Sequence, residues 1–175
     1  PMIQRAVALG PHEPAVQRVV ADFGLAAWPE LSPAGQASTE RVVAAGLRAC
    51  PESPGLWVMR ARHLRDGGRA AEAVAAFETA IRLRSNEADA YLELATTLFR
   101  LGRVPAGLKR LEEALAAEPE HPPTLALLAY HAITGGDEAA AQAWMQRVQR
   151  QPRVAREQAE RLRTAYRERF GRSAP

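Results

Sequence analysis

The sequence predicts an all-α fold in which antiparallel pairs of helices repeat along the chain and stack as a solenoid. Two blocks 34 residues apart carry the same residue types at the same offsets, and a third, looser copy follows. In each copy an aromatic or large apolar residue is followed by a small residue and then by a glycine, as at Trp57, Ala61 and Gly68; Tyr91, Ala95 and Gly102; Leu125, Ala129 and Gly136. A fixed period of this length is typical of solenoids, because each unit buries its apolar face only against its neighbours.

Composition agrees with an ordered helical array. The chain has 175 residues, of which 47% are hydrophobic and 25% are charged, as in folded soluble proteins. No run of about 18 uncharged apolar residues occurs, which argues against direct membrane insertion of this segment. The first thirty residues lack the pattern of a signal peptide. We therefore expect a soluble segment, cytoplasmic or periplasmic if it is part of a longer bacterial chain.

Residues for catalysis or metal binding are not grouped in the sequence. The single cysteine, Cys50, cannot form an internal disulfide. Four histidines, at positions 12, 63, 121 and 131, lack the spacing of metal ligands, and no phosphate-binding or nucleophile motif occurs. The sequence predicts a protein that is not an enzyme and that holds no metal and no cofactor.

Each repeat is predicted to contain a first helix, a tight turn and a second helix. Positions such as Trp57, Ala61 and Leu64 are spaced i, i+4, i+7 and therefore share one helical face. Small residues in both helices permit close approach, and Gly68, Gly102 and Gly136 follow the first helix, where a left-handed residue commonly ends it.

These blocks, from Trp57-x3-Ala61-x2-Leu64-x3-Gly68 onward, resemble the tetratricopeptide repeat (TPR) family, and we expect a bacterial protein. The resemblance implies a right-handed TPR superhelix with a C-terminal capping helix. It assigns these segments: 1–11, the end of a preceding repeat helix; 12–53, an irregular helical hairpin with an insertion at 28–33; 54–87, 88–121 and 122–152, three repeats; 153–175, a capping helix and tail.

The irregular first unit carries two prolines in its insertion, so its second helix is predicted to begin with Ser32 as N-cap and Pro33 in the first turn. The segment before Pro11 reads as half of a repeat. We expect that the chain belongs to a longer protein with more repeats or another domain upstream; the alternative is a short capping helix at a true N-terminus.

The segment after Pro152 is predicted to form an amphipathic helix. A largely apolar stripe recurs every four residues along it, and arginines and glutamates occupy many of the other positions. The stripe consists of Val154, Gln158, Leu162, Tyr166 and Phe170. This stripe would cover the exposed edge of the last repeat, and Gly171 would end the helix.

The resemblance implies that the first helices line a concave groove in which TPR proteins bind peptides or helices. Phe99, Tyr130 and Ile133 are expected to be exposed there; the alternative is that Phe99 and Tyr130 are covered by the C-terminal helix or by curling of the superhelix. Arg62 and Arg65 either contact a ligand or are solvated. The candidate groove residues are Arg18, Asp22, Leu25, Val58, Arg62, Arg65, Leu92, Thr96, Phe99, Ala126, Tyr130 and Ile133.

One well-known TPR chemistry is missing. A carboxylate clamp needs lysine, asparagine and arginine at set groove positions, but the matching positions hold Val58 and Arg62, Glu93, and Pro123 with Leu127. Binding to chaperone tails through such a clamp is therefore not expected.

The predicted function is a non-catalytic protein-protein interaction scaffold that binds a protein partner, as a peptide or a helix, in the concave groove. Two alternatives stay open: an accessory or regulatory TPR region of a larger bacterial protein of cell-envelope or polysaccharide assembly, or a self-associating module that forms a homo-oligomer. Nucleic acid is disfavoured as a partner, because Glu157, Glu160 and Glu168 alternate with the C-terminal arginines.

Overall fold

Helices account for all regular structure in the residues that the computed structural model describes, which are 32–83, 88–151 and 156–173. The helices are α1 (Pro33–Ala49), α2 (Pro54–Asp66), α3 (Ala70–Leu83), α4 (Ala88–Arg100), α5 (Val104–Ala117), α6 (Pro122–Gly135), α7 (Glu138–Gln149) and α8 (Arg156–Phe170). Over these ranges the predicted all-α class is confirmed. The chain divides into two units, Pro1–Ser85 and Asn86–Pro175.

The first unit contains α1, α2 and α3 among its described residues. Helix α1 begins where the sequence predicted, because the Ser32 hydroxyl accepts a hydrogen bond from the Gly35 amide at 3.3 Å and Pro33 occupies the first turn. Val43 and Leu47 of α1 pack with Leu56 and Met59 of α2. Helices α2 and α3 form a hairpin connected by residues 67–69.

The Trp57 ring covers the edge of this small core. Its Nε1 donates to the Pro51 carbonyl at 2.8 Å, which ties the start of α2 to the preceding turn. Arg60 stands where the TPR pattern has leucine, and it is exposed with its guanidinium 5.9 Å from the Trp57 ring centroid. The arginine therefore packs over the aromatic ring at this position instead of entering the core.

The second unit contains two helical hairpins, α4 with α5 and α6 with α7, followed by α8. Ala95 and Leu111 are fully buried in the first hairpin. The largest core cluster combines α6, α7 and α8, and its members are Leu125, Ala126, Ala129, Ile133, Ala141, Met145, Val148, Leu162 and Tyr166. Helix α8 thus packs on both helices of the second hairpin.

The three hairpin turns share one backbone geometry. Gly68, Gly102 and Gly136 have φ of 79°, 72° and 80°, which confirms the predicted left-handed residues. The amide of the next residue donates to the carbonyl five positions earlier in each turn, as from Arg103 to Leu98 at 2.9 Å. This is the Schellman arrangement, which satisfies carbonyls that the helix end leaves without partners.

Replacing Gly102 with alanine is expected to lower the free energy of unfolding by about 1–2 kcal/mol, because a Cβ disfavours the left-handed conformation. A Cβ at Gly102 meets no atom within 4 Å, so the loss would come from the backbone alone. Gly135 is the matched control, since it is helical and equally open. Gly135→Ala should be neutral or stabilising by up to about 1 kcal/mol. Urea denaturation of both variants measures the difference, and equal stabilities would contradict the prediction.

Several sequence predictions lie outside the described residues. They are the half-repeat before Pro11, the insertion at 28–33 up to Leu31, the repeat ends at 87 and 152, the stripe residue Val154, and the groove candidates Arg18, Asp22 and Leu25.

Candidate functional site

A cleft of about 440 Å³ opens between α4, α6 and α8 of the second unit. Two hairpins contribute one helix each, and α8 supplies the third wall. The lining residues are Leu92, Thr96, Pro123, Ala126, Leu127, Tyr130, Gln158, Arg161 and Leu162. A volume of this size lies in the range of ligand-binding pockets, roughly 300–1,000 Å³.

Helical periodicity places these side chains on facing surfaces. Leu92 and Thr96 lie one turn apart on α4, and Thr96 donates its hydroxyl to the Leu92 carbonyl at 2.9 Å. On α6 the lining residues fall at 123, 126, 127 and 130, a spacing that keeps them on one face. Gln158, Arg161 and Leu162 repeat the same spacing on α8. The cleft therefore follows from three helical stripes that face each other.

The N-terminal ends of α4 and α6 are joined beside the cleft by His121. This buried side chain lies 3.2 Å through Nε2 from the Asp89 carboxylate of α4. Its Nδ1 lies 2.7 Å from the hydroxyl of Thr124, which is fully buried in the first turn of α6. These contacts fix the separation of two of the three walls.

The third wall is held by a buried tyrosine. Tyr166 is fully buried, and its hydroxyl donates to Glu138 at 2.7 Å while it accepts from Gln142 Nε2 at 2.7 Å. Arg172 Nε donates to the same Glu138 carboxylate at 2.6 Å. Arg172 Nη2 donates a second hydrogen bond to Oε2 of this carboxylate. Glu138 stands in the first turn of α7, where the helix dipole favours a negative charge. The network anchors α8 to α7.

Arg172 holds the pKa of the Glu138 carboxyl below its ordinary value by hydrogen bonding, and the Tyr166 hydroxyl acts in the same direction. Because the pKa is lowered in the folded state, the carboxylate stabilises the fold fully above the ordinary glutamate pKa of about 4.3. This stabilisation is lost as the pH falls through the lowered value.

We expect Glu138→Gln to lower the melting temperature at about pH 7 and to lower it less at about pH 3, because the stabilisation by the carboxylate diminishes below the ordinary glutamate pKa of about 4.3. Thermal unfolding of both chains at the two pH values measures this. Comparison with the native chain cancels the titration of other carboxylates. A difference in melting temperature that stays constant with pH would contradict the assignment.

The structure brings four of the predicted groove residues together in the cleft: Leu92, Thr96, Ala126 and Tyr130. Tyr130 is 49% exposed, as expected. Ala126 is buried and forms part of the floor. Their predicted contact with a partner stays a prediction.

The expected exposure of Ile133 is wrong. Ile133 is only 1% exposed and belongs to the core cluster that contains Leu162 and Tyr166 of α8. Helix α8 contributes to this cluster, whereas covering by the C-terminal helix was an alternative only for Phe99 and Tyr130.

Phe99 is also less exposed than predicted, for a different reason. Its ring is partly buried and lies with its centroid 3.9 Å from that of His131. The ring also approaches Gly107 so closely that a Cβ there would lie 2.4 Å from Phe99 Cε1. Phe99 thus packs within the α4–α5 hairpin and against α6, and it does not line the cleft. Burial lowers the pKa of the neighbouring His131.

The remaining candidates, Val58, Arg62 and Arg65, lie on α2 of the first unit. Val58 is partly buried, Arg62 is exposed, and Arg65 Nε donates to Asp66 at 2.9 Å. Their predicted role in binding stays a prediction.

Five of the nine residues that line the cleft were not among the predicted groove residues. Pro123 and Leu127 were considered only as clamp positions, although their i, i+4 spacing was a usable signal. Gln158 and Leu162 were recognised as a stripe on the last helix, but that stripe was assigned only to covering the repeat edge. Arg161 was counted among the charges of the C-terminal segment.

Within 32–83, 88–151 and 156–173 no group of three or more histidine, cysteine, aspartate or glutamate side chains could hold a metal ion. None of the helices in these ranges has the length and apolar character required to cross a membrane.

Comparison with solved structures shows which proteins share the fold. PilW, described as a widely conserved type IV pilus biogenesis factor, has 19% identity and a TM-score of 0.79, with 97% of this chain and 76% of PilW covered. MamA has 12% identity and a TM-score of 0.70, with 91% of this chain and 85% of MamA covered. YrrB, a TPR protein with an unusual peptide-binding site, has 14% identity and a TM-score of 0.67, with 98% of this chain and 93% of YrrB covered. These identities show a common fold alone.

Comparison with curated protein sequences finds no match. The sequence profile of the tetratricopeptide repeat matches residues 33–88, 58–108 and 92–155. The matched segments overlap and together span most of the chain, including every hairpin described above. The chain therefore belongs to the tetratricopeptide repeat family, and its all-α fold is the helical solenoid of that family.

Proposed function

We propose that this chain is a non-catalytic protein-interaction module and that it binds a segment of a partner protein in the cleft between α4, α6 and α8. Tetratricopeptide repeats are generally interaction modules, which supports the general function. The observation that carries the specific site is the cleft itself, with Tyr130 exposed at its rim.

The chemistry of the cleft suits a peptide segment. Most lining side chains are apolar, and a few polar groups lie among them, as in typical protein-ligand pockets. The floor is rigid because Ala126 and Leu162 belong to the buried core. A preformed cleft binds with little loss of entropy in the receptor. An exposed aromatic ring beside such a floor is a typical anchor of an interface.

A capture experiment with two charged substitutions tests the site. Tyr130→Glu places a charge in the cleft. Val104→Glu is the matched control, because Val104 is also a large exposed side chain, 40% exposed, and it does not line the cleft. Each chain would be immobilised and exposed to lysate of the source cells, and bound proteins would be identified by mass spectrometry.

We expect a partner that is retained by the native chain and by Val104→Glu but is lost with Tyr130→Glu. Circular dichroism would establish that all three chains have the same helicity. Retention of every partner by Tyr130→Glu would contradict binding in this cleft.

A further inference from the structure

We propose that the segment bound in the cleft carries an apolar side chain next to a carboxylate, and that Arg161 of α8 binds this carboxylate. This inference rests on the proposed function, since it names the chemistry of the partner at the same site. It makes α8 a part of the binding site as well as the cover of the last hairpin.

Charge in the cleft comes from one residue. Of the nine lining side chains, six are apolar or aromatic, Thr96 and Gln158 are neutral and polar, and Arg161 alone carries a formal charge. Helix α8 adds to the positive field, because its sequence contains five arginines and three glutamates. An acidic group in the occupant therefore complements this wall.

The position of Arg161 suits contact with a ligand. Its side chain is exposed, and it follows Gln158 by three residues and precedes Leu162, so it lies on the helical face that lines the cleft. A guanidinium has five N–H donors, and it can therefore hold a ligand carboxylate while it keeps an existing contact.

Neighbouring polar groups of the cleft can form further hydrogen bonds with the bound segment. The Thr96 hydroxyl donates to the Leu92 carbonyl at 2.9 Å, so this group faces the cleft mainly as an acceptor. Tyr130, with its phenol hydroxyl, and Gln158, with its amide, are exposed lining residues that can each donate a hydrogen bond. The apolar floor beside them, which includes Leu127 and Leu162, would receive the adjacent apolar side chain.

A display library of random linear peptides provides the probe. Peptides would be selected on the native chain, and those whose binding is lost with Tyr130→Glu would be kept as cleft ligands. We expect aspartate or glutamate beside a large apolar residue in these peptides. The affinity of one such peptide, and of its analogue with asparagine or glutamine in place of the acidic residue, would then be measured by fluorescence anisotropy.

The affinities of the native chain and of Arg161→Gln for the acidic peptide and its amide analogue form a thermodynamic cycle. Arg161→Gln should lower the affinity for the acidic peptide by roughly 10- to 100-fold, since hydrogen bonds to charged groups contribute about 1.5–3 kcal/mol. It should leave the amide analogue almost unchanged. Arg167→Gln is the matched control, because Arg167 is an exposed arginine of the same helix that does not line the cleft. It should bind both peptides as the native chain does.

Two outcomes would overturn the inference, and they are distinguishable. If the cleft peptides show no acidic preference, or if Arg161→Gln weakens the acidic peptide and its amide analogue equally, the carboxylate contact is wrong and the proposed cleft function stands. If every selected peptide binds Tyr130→Glu as well as the native chain, the cleft is not the binding site and both proposals fail.

Discussion

Replacing Tyr166 with alanine will lower the free energy of unfolding of the second unit by about 3–5 kcal/mol, the usual cost of removing a large aromatic side chain from a core. Tyr166 is fully buried among Leu125, Ile133 and Met145, and its ring centroid lies 4.8 Å from that of Phe170. Its removal leaves a cavity and also takes the hydroxyl away from Glu138 and Gln142.

Hydrogen exchange with mass spectrometry would locate this effect. We expect faster exchange in α8 and in the parts of α6 and α7 beneath it. Tyr166→Phe is the matched variant, since it keeps the ring and loses only the hydroxyl. It should lower the free energy of unfolding by less, about 1–3 kcal/mol. If Tyr166→Ala left exchange in α8 unchanged, α8 would not depend on this side chain for its position.

Replacing Gly107 with alanine will destabilise the α4–α5 hairpin by about 1–3 kcal/mol, the typical cost of overpacking. Helix propensity alone predicts the opposite sign, because alanine is better than glycine inside a helix by about 1 kcal/mol. The Cβ would lie 2.4 Å from Phe99 Cε1, and the ring cannot move away easily because it also contacts His131.

A double-mutant cycle isolates the clash. Phe99→Ala will be destabilising alone, but Gly107→Ala in the Phe99→Ala background should be neutral or stabilising, since the Cβ then has room. Gly135→Ala serves again as the control for propensity in an open helical position. Urea denaturation measures all four chains. A gain in stability from Gly107→Ala alone would show that the ring yields at little cost.

The parts of this fold that were predictable from the sequence are those set by local rules. Ser32 with Pro33 predicted the start of α1, and Gly102 predicted the end of α4, because caps and left-handed residues are determined within a few positions. The repeat spacing placed Ala95 and Ala129 in the core correctly, since both are fully buried.

The errors at the site come from contacts between distant segments. Ile133 shares a helical face with Tyr130, so periodicity assigned both to an exposed groove. They differ in tertiary packing, because Ile133 belongs to the core cluster that includes Leu162 and Tyr166 of α8, whereas Tyr130 is 49% exposed. That packing joins residues about 30 positions apart, and the helical periodicity of α6 alone cannot predict it. The position of Arg161 beside the cleft depends on the same docking.

The order in which the cleft is made has a consequence for biosynthesis. The ribosome completes α4 and α6 before α8, so the core cluster to which Ile133 belongs is incomplete until Leu162 and Tyr166 of the last wall emerge. Translation at about 5–20 residues per second leaves this cluster incomplete for several seconds. During that interval its apolar side chains are exposed to chaperones and to other nascent chains, and the cleft between α4, α6 and α8 exists only after α8 has docked.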